Sequence, residues 1–215
     1  MNAAIALPER TDRYLTSFRY RVVKRGIDII GSSVGLLLTA PLYPFLAAAV
    51  KLTSPGPVFY RWHVVGKDGR PFKGYKIRTM VTNADELRRT LSAYNERRGP
   101  AFKMRGDPRV TRVGRFLRRF SIDEVPQLLS VLKGDMSLIG PRPLQVYEWE
   151  QCTAYQKQRA NVRPGAISLW HVAGQPPAFD DWIEMDLEYI ANWSLTMDAT
   201  ILVKTFGYVF GAKNQ

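Results

Sequence analysis

Residues Ile29 to Val50 read IIGSSVGLLLTAPLYPFLAAAV, an uncharged run of about the 20 residues that a bilayer-crossing helix needs. Arg19, Arg21, Lys24 and Arg25 precede it, and Lys51, Arg61, Lys67, Arg70, Lys73 and Lys76 follow it. A spanning helix keeps its basic flank on the cytoplasmic side. Similar charge on both flanks, with Pro41 and Pro44 breaking the run, suits a hairpin-like helix that enters and leaves by one face. At about 1.5 Å per residue, each limb then reaches about half-way through the hydrocarbon. Thr39 is placed to serve freed carbonyls at the bend. A proline-kinked transmembrane helix is the other reading, and residues alone leave both standing. A signal peptide fits poorly, because the run is long and no cleavage site follows.

Outward from this run the chain changes character. The 215 residues carry 31 Lys+Arg against 19 Asp+Glu, a net charge of +12, so the partners to look for are anionic: nucleic acid, phosphorylated small molecules or lipid head groups. The single cysteine, Cys152, excludes an intramolecular disulfide and suggests no nucleophile. Two histidines far apart, His63 and His171, give a zinc site almost no support. Thr53–Pro57 is a turn cluster. Val58–Val65 and Pro71–Met80 read as the strands of a hairpin joined by Gly66–Gly69. Lys73, Lys76 and Arg78 on the return strand either reach phosphates or form a solvated basic face. Ala84–Arg98 has helical spacing, with Leu87, Leu91 and Tyr94 on one face. Leu144–Ala160 and Trp182–Ile190 read as further helices. Leu195–Phe210 is apolar but interrupted by Asp198 and Lys204, so it should lie at an interface, with Trp193, Tyr208 and Phe210 at the membrane boundary. Asp198 is read as structural.

The chemistry concentrates in Arg118–Pro143, RRFSIDEVPQLLSVLKGDMSLIGPRP. Arginines at 109, 112, 115, 118 and 119 lead into the adjacent carboxylates Asp123 and Glu124. With Asp123 as N-cap, Pro126 falls in the first turn, where it needs no donor. Val125, Leu128, Leu129 and Leu132 then make a buried stripe, and Gly134 ends the helix. The helix dipole would keep Asp123 ionised. An isolated Asp–Glu pair is ordinarily a cap and a first-turn acid. Here the arginines, and Arg142 held between Pro141 and Pro143, shift the reading to phosphoryl chemistry, with Asp123 as nucleophile and Glu124 holding magnesium.

At these residues the chain resembles the bacterial polyprenyl-phosphate sugar-1-phosphate transferases, the monotopic phosphoglycosyl transferases. The run DPRVTRVGRFLRRFSIDEVPQLLSVLKGDMSLIGPRP carries the resemblance, with Arg163–Gly165, Leu169–Val172 and Asn192–Asp198 agreeing in order and spacing. What it implies is transfer of a hexose-1-phosphate from a UDP-sugar to undecaprenyl (polyprenyl) phosphate, with release of UMP. That is the initiating step of exopolysaccharide, capsule, O-antigen or glycoprotein glycan assembly. Carried over by position, Asp123 is the nucleophile of a covalent phosphosugar intermediate, Glu124 (with Asp123) the Mg2+ ligand, and Arg118 and Arg142 the phosphate contacts. Lys76 and Gln175 join them as substrate-binding residues. The implied fold is α+β and mainly helical: an arm over 1–20, a re-entrant membrane helix over 21–52, and a catalytic domain over 53–215 with a small β-hairpin and interfacial amphipathic helices.

The implied location is the cytoplasmic face of a bacterial inner membrane, with membrane lipid as a partner, no nucleic acid, and a homodimer left open. Long relatives add an N-terminal multi-span region, so the resemblance implies the catalytic unit alone. Ala40–Pro41 replaces the family's usual Ser-Pro, Ala173–Gly174–Gln175 replaces a motif ending in arginine, and Ile77 replaces an aromatic residue. The competing readings are a membrane-tethered nucleic-acid-binding protein, motivated by the arginine stripe, and a membrane scaffold.

Overall fold

A computed structural model describes residues 17–210, with the side chains of Phe206, Tyr208, Val209 and Phe210 outside the description. Most of the expected N-terminal arm, and the boundary roles of Tyr208 and Phe210, therefore lie outside the described residues. The fold is α+β and mainly helical. Helix α1, Phe18–Thr39, runs into a 3-10 turn at Ala40–Leu42 and then α2, Tyr43–Thr53. Together Phe18–Thr53 is the one stretch among the described residues long and apolar enough to cross a membrane. The break follows from the prolines. Pro41 has no N–H for the Leu37 carbonyl, and the carbonyl of Ala40 takes the Tyr43 N–H instead. Thr39 Oγ1 donates to the carbonyls of Gly35 (2.7 Å) and Leu36 (3.3 Å), a back-bond that bends helices.

Both limbs pack on the same globular body. At the start of α1, Arg25 donates to the carbonyls of Val131 and Leu132. Asp28, 1% exposed, accepts from Ser137 Oγ and the Leu138 N–H, both at 2.9 Å. Leu138 and Leu128 press into the spaces beside Gly31 and Gly35. At the far end of α2, Val50 is buried with Ile77 and Leu117. A buried carboxylate left without partners costs several kcal/mol, so Asp28 fixes where α1 sits. Lys24 extends the same network, reaching Asp198 at 2.6 Å and the Ile139 carbonyl at 3.0 Å, while Tyr189 donates to Asp198 at 2.7 Å. Asp198 is thus structural, as the sequence suggests. Trp193 also turns inward: it is buried, edge-on to Tyr20, and donates to Asp198, so it is core and not membrane boundary.

The hairpin pairs β1, Phe59–Val65, with β2, Pro71–Ile77, in antiparallel register, Tyr60 opposite Lys76 and Trp62 opposite Gly74. Strand β2 ends before Met80, which forms a separate bridge to Val110. Helix α3 spans Ala84–Thr90 only and a 3-10 turn follows, shorter than the Ala84–Arg98 expected. Asn95 ends it, its side chain donating to the Ala101 carbonyl and accepting from the N–H groups of Arg97 and Lys103. Helix α4, Arg112–Arg119, starts on Thr111, whose Oγ1 accepts the Gly114 N–H at 2.9 Å. Helix α5, Gln127–Lys133, ends at Gly134 with φ 95°. Its buried face is Gln127, Ser130 and Val131; Leu129 and Leu132 point outward at 40% and 37% exposure, against the expected stripe. The packing of α1 against α5 selects that face.

Strand β3, Ser137–Ile139, leads into Gly140–Pro143 and then β4, Leu144–Gln145, which pairs with β1. That pairing prevents the helix expected over Leu144–Ala160. Helix α6 covers only Val146–Glu150, and Thr153 and Gln156 exchange side-chain and backbone bonds in the turn before a 3-10 stretch at Gln156–Asn161. Strand β5, Gly165–Ile167, runs parallel to β3. Helices α7, Leu169–Val172, α8, Phe179–Ala191, and α9, Leu195–Phe210, complete the chain. Cys152 is buried in the cluster that includes Trp170, Trp182 and Ile183.

The approach of α4 to the hairpin exit is the tightest of these contacts. The Thr111 N–H donates to the Thr79 carbonyl at 3.0 Å, and a Cβ on Gly114 would lie 2.0 Å from that same oxygen. Gly114→Ala is expected to push α4 off this carbonyl and destabilise the fold by about 1–3 kcal/mol, the range for overpacking. Denaturant unfolding in detergent measures this, and an unshifted midpoint would contradict the packing.

Candidate active site

The hairpin, the loop after it and the turn before α5 converge on the acidic pair. Ser121 takes a left-handed conformation, φ 54°, and Ile122–Glu124 form a 3-10 turn. Helix α5 begins only after Pro126, and neither Ser121 nor Pro126 makes a side-chain capping bond. Asp123 is therefore not the N-cap expected from sequence. The dipole of α5 is not what sets its charge. Asp123 is 8% exposed, and burial, then the charge of Glu124, push its pKa up to about 6, with Lys76 and Arg118 pulling partly against them.

Glu124 has the opposite environment. Lys76 Nζ lies 2.7 Å from Glu124 Oε1 and 4.2 Å from the centre of the Trp62 ring, so strand β2 delivers an ammonium between an indole and a carboxylate. Burial opposes ionisation of Glu124, but Lys76, then His171 and Arg142, outweigh it and hold its pKa down to about 2. Adjacent carboxylates with pKa values driven apart take different roles: one stays charged, the other is poised near neutrality. Arg118 donates from Nε to Thr79 Oγ1 at 2.9 Å, and its charge acts on Asp123.

Arg142 acts on Glu124 from the segment after β3. Its N–H donates to Asp186 Oδ1 at 3.0 Å, and Arg159 bonds both the Arg142 carbonyl and Asp186. The two prolines restrict the backbone, as the sequence shows, and this buried ion pair fixes it in place. The guanidinium lies over Trp170, 4.4 Å from the ring centre. Its Nη1 is 3.3 Å from His171 Nε2. His171 Nδ1 accepts the Ser168 N–H at 3.0 Å and lies 2.9 Å from Ser168 Oγ. Burial and the Arg142 charge push the His171 pKa down to about 4, so the ring is neutral at pH 7.

Of the residues singled out from sequence, Lys76, Arg118, Asp123, Glu124 and Arg142 are thus gathered into one site. Gln175 sits in the loop between α7 and α8, with φ 51°. That loop is held by the Pro176 carbonyl, which accepts the indole N–H of Trp170 and of Trp182. Arg112, Arg115 and Arg118 share the α4 helix at three-residue spacing and are exposed, as is Arg119, and Arg118 also reaches Thr79. Arg109 is apart from them, buried in a fork with Asp107 at 2.9 and 2.7 Å. The residues that sequence reasoning missed are Thr79, Asp186, Arg159 and His171. For His171 a signal existed, since Ser168-x-x-His171 has the spacing at which a side chain returns to an N-cap.

For a metal, no group of three or more His, Cys, Asp or Glu occurs among the described residues. Asp123 and Glu124 supply hard oxygen donors, Glu124 strongly ionised. This fits Mg2+, which is typically held by one or two carboxylates, with water and substrate phosphates completing its shell.

Comparison with known proteins identifies the family of the chain. Residues 19–212 match a family model described as bacterial sugar transferase. The exopolysaccharide production protein ExoY of Rhizobium meliloti is 39% identical over 190 residues, 86% of this chain and 84% of ExoY. The UDP-N-acetylgalactosamine-undecaprenyl-phosphate N-acetylgalactosaminephosphotransferase of Aeromonas hydrophila is 42% identical over 205 residues, 90% of this chain and 46% of that protein. The UDP-glucose:undecaprenyl-phosphate glucose-1-phosphate transferase of Escherichia coli K12 is 38% identical over 194 residues, 86% of this chain and 39% of that protein. The chain spans most of ExoY and less than half of the other two.

The split between the carboxylates has a consequence for stability. Between the ordinary aspartate value of 3.8 and about 6, the folded protein binds a proton at Asp123 that the unfolded chain has lost. Stability from this group therefore falls as pH rises through that window. Glu124, depressed from 4.5 to about 2, contributes in the opposite sense: its stabilisation is present above 4.5 and lost as pH falls toward 2. Asp123→Asn should remove the decline between pH 4 and 6 and leave the protein more stable than the parent at pH 7, by about 1–3 kcal/mol. Denaturant titrations at pH 4 to 7.5 measure the difference; a variant that loses stability at pH 7 would contradict it.

Proposed function

The chain belongs to the bacterial sugar transferase family, and we propose that it is a phosphoglycosyl transferase. It moves a sugar 1-phosphate from a UDP-sugar to undecaprenyl phosphate, and so begins assembly of a surface polysaccharide or related glycan. The observation that carries this reading is the buried Asp123 beside an ionised Glu124–Lys76 pair. A carboxylate with its pKa near 6 is mostly ionised at neutral pH and poorly hydrated, which suits a nucleophile. Asp123 attacks the phosphorus that carries the sugar, the bond from that phosphorus to the bridging oxygen breaks, and UMP leaves. An oxygen of undecaprenyl phosphate then attacks the same phosphorus and displaces Asp123. This yields the polyprenyl diphosphate sugar and regenerates the carboxylate.

The remaining residues serve charge and orientation. Arg118 and Arg142 face the phosphates from two sides, and the Asp186–Arg159 clamp pre-orients Arg142 before substrate arrives. Lys76 keeps Glu124 ionised. Glu124, with Asp123, would hold Mg2+, whose charge offsets that of the diphosphate when it is bound.

The acceptor is a membrane lipid, and the architecture suits a re-entrant hairpin. Arg25 and Asp28 near one end of Phe18–Thr53, and Val50 near the other, touch the same catalytic body. That arrangement supports both ends lying on one face, the cytoplasmic face of the inner membrane. The outward Leu129 and Leu132, together with Phe116 and Phe120, add apolar surface that suits contact with lipid.

Detergent-solubilised protein with Mg2+, undecaprenyl phosphate and a panel of UDP-sugars is expected to release UMP with at least one of them. Asp123→Asn should abolish that release; intact turnover would refute the nucleophile. With the preferred sugar, kcat/KM should rise with pH and level off above about 6, as Asp123 ionises. Topology has its own measurement. Phe18→Cys and Leu52→Cys, 73% and 87% exposed, are expected to resist a membrane-impermeant maleimide from the periplasmic side together. Labelling of one and not the other would mean that the segment crosses the membrane.

A further inference from the structure

The buried arginines, Arg78, Arg109 and Arg159, each give their guanidinium to oxygen. Arg78 takes the carbonyls of Ser54 and Pro55, Arg109 takes Asp107, and Arg159 takes Asp186 and the Arg142 carbonyl. Arg97 differs. It is half-buried, its Nε is enclosed without a hydrogen-bond partner, and no carboxylate pairs with it among the described residues. Its guanidinium shares one pair of indoles with that of Arg142. Arg97 lies 4.1 Å from the Trp182 ring centre and 5.3 Å from that of Trp170, while Arg142 lies 4.4 Å from Trp170 and 5.5 Å from Trp182. An indole face attracts a cation by about 0.5–2 kcal/mol, but it does not replace an oxygen acceptor for a guanidinium that carries donors only.

The placement has a cost. Burial, together with the Arg142 charge, lowers the Arg97 pKa to about 10. Glu148 acts the other way, yet its carboxylate receives the Gln145 N–H and the Tyr147 hydroxyl instead. The backbone nevertheless holds Arg97 there from both sides. Asn95 Oδ1 accepts the Arg97 N–H at 3.2 Å and the Lys103 N–H at 2.9 Å, and the Arg98 carbonyl accepts the Phe179 N–H at 3.1 Å. At Gly99, φ 100°, a Cβ would lie 2.7 Å from that of Phe179, so the loop lies close against the start of α8. Two neighbouring cations, one of them fixed without an acceptor, are preorganised for an anion that arrives from outside.

Position within the site indicates which anion. The Arg142 charge acts both on Glu124 and on Arg97, whereas neither Asp123 nor Glu124 is among the charges that act on Arg97. Arg97 therefore lies farther from the acidic pair than Arg142 does. In the transfer proposed above, the phosphorus that Asp123 attacks is beside that pair, and the phosphate that departs with uridine is one bridging oxygen further on. We propose that Arg97, held over Trp170 and Trp182 beside Arg142, binds the uridine-side phosphate of the UDP-sugar, the group that leaves as UMP. The proposal rests on that transfer reaction and adds a residue to it. As the bond from the attacked phosphorus to the bridging oxygen breaks, the electron pair stays with UMP, so the contact strengthens toward the transition state.

The variants to compare are Arg97→Met, which keeps a stem over the indoles without charge, and Arg97→Lys, which keeps a charge. Titration calorimetry with UMP and Mg2+, in the Asp123→Asn background, reads binding without turnover. Arg97→Met is expected to weaken UMP binding about ten- to a hundred-fold, the range for a hydrogen bond to a charged group, and Arg97→Lys to recover part of the loss. In the active enzyme Arg97→Met should lower kcat/KM for the UDP-sugar by a similar factor and leave kcat/KM for undecaprenyl phosphate unchanged, because the two constants report separate half-reactions. Unchanged UMP affinity in Arg97→Met, or no UMP binding in the Asp123→Asn parent, would overturn the proposal. So would equal losses in the Met and Lys variants or toward both substrates, which would make Arg97 a packing residue. A loss confined to undecaprenyl phosphate would overturn it too, by moving the arginine to the acceptor. Failure of the transferase reading looks different: no UDP-sugar would release UMP, while UMP binding that still depends on Arg97 would retain the phosphate site.

Discussion

The ion pair between Lys76 and Glu124 makes the site unequal. Two carboxylates on adjacent residues in a largely buried turn repel each other and pay for desolvation, and without a nearby cation both would gain by taking up protons. A single ammonium 2.7 Å from Glu124 breaks the tie: Glu124 stays charged, and Asp123 bears the cost of burial together with its neighbour's charge. The pair also joins parts of the chain that are distant in sequence, binding the β-hairpin to the turn that precedes α5. Thr79, at the hairpin exit, takes Arg118 on the same side.

The rest of the fold holds this arrangement against the long apolar helix α1. Asp28 and Lys24 on α1 bond β3, and Lys24 and Tyr189 meet on Asp198 at the start of α9. The strand so anchored runs straight into Gly140–Pro143, and Asp186 with Arg159 fixes the Arg142 backbone at the end of it. These hydrogen bonds, with the strand between them, connect the long apolar segment to the arginine beside Glu124. Each member is a charged or polar group that would be costly to bury alone, so the network specifies one placement of α1 relative to the site.

Much of this was legible in the sequence, because it depends on local chemistry. Pro41, Pro44 and Thr39 announce the broken helix, Gly66–Gly69 the hairpin, and Gly134 the end of α5. Asp123, Glu124 and the proline-framed Arg142 could be named from residue type and spacing, while Lys76 and Arg118 took substrate-binding roles only from the family resemblance. What failed depends on distant partners. Asp123 read as a cap because Pro126 suits a first turn, but Ser121 adopts a left-handed conformation and the helix starts later. The helix expected over Leu144–Ala160 lost its first turn to strand pairing with Val64 and Val65. Trp193 looked interfacial by type, yet Asp198 and Tyr20 draw it inward. The contact of His171 with Arg142, some thirty positions earlier in the chain, depends on the fold in the same way.

In the proposed reaction the buried Asp123 makes and breaks a bond to phosphorus. Its most direct measurement is peptide mass spectrometry of the protein incubated with its preferred UDP-sugar in the absence of acceptor. A sugar-phosphate adduct is expected on the peptide that contains Asp123, formed with UMP release and discharged when undecaprenyl phosphate is added. An unmodified Asp123 peptide, in an enzyme that releases UMP only when both substrates are present, would contradict it and point to direct transfer between them.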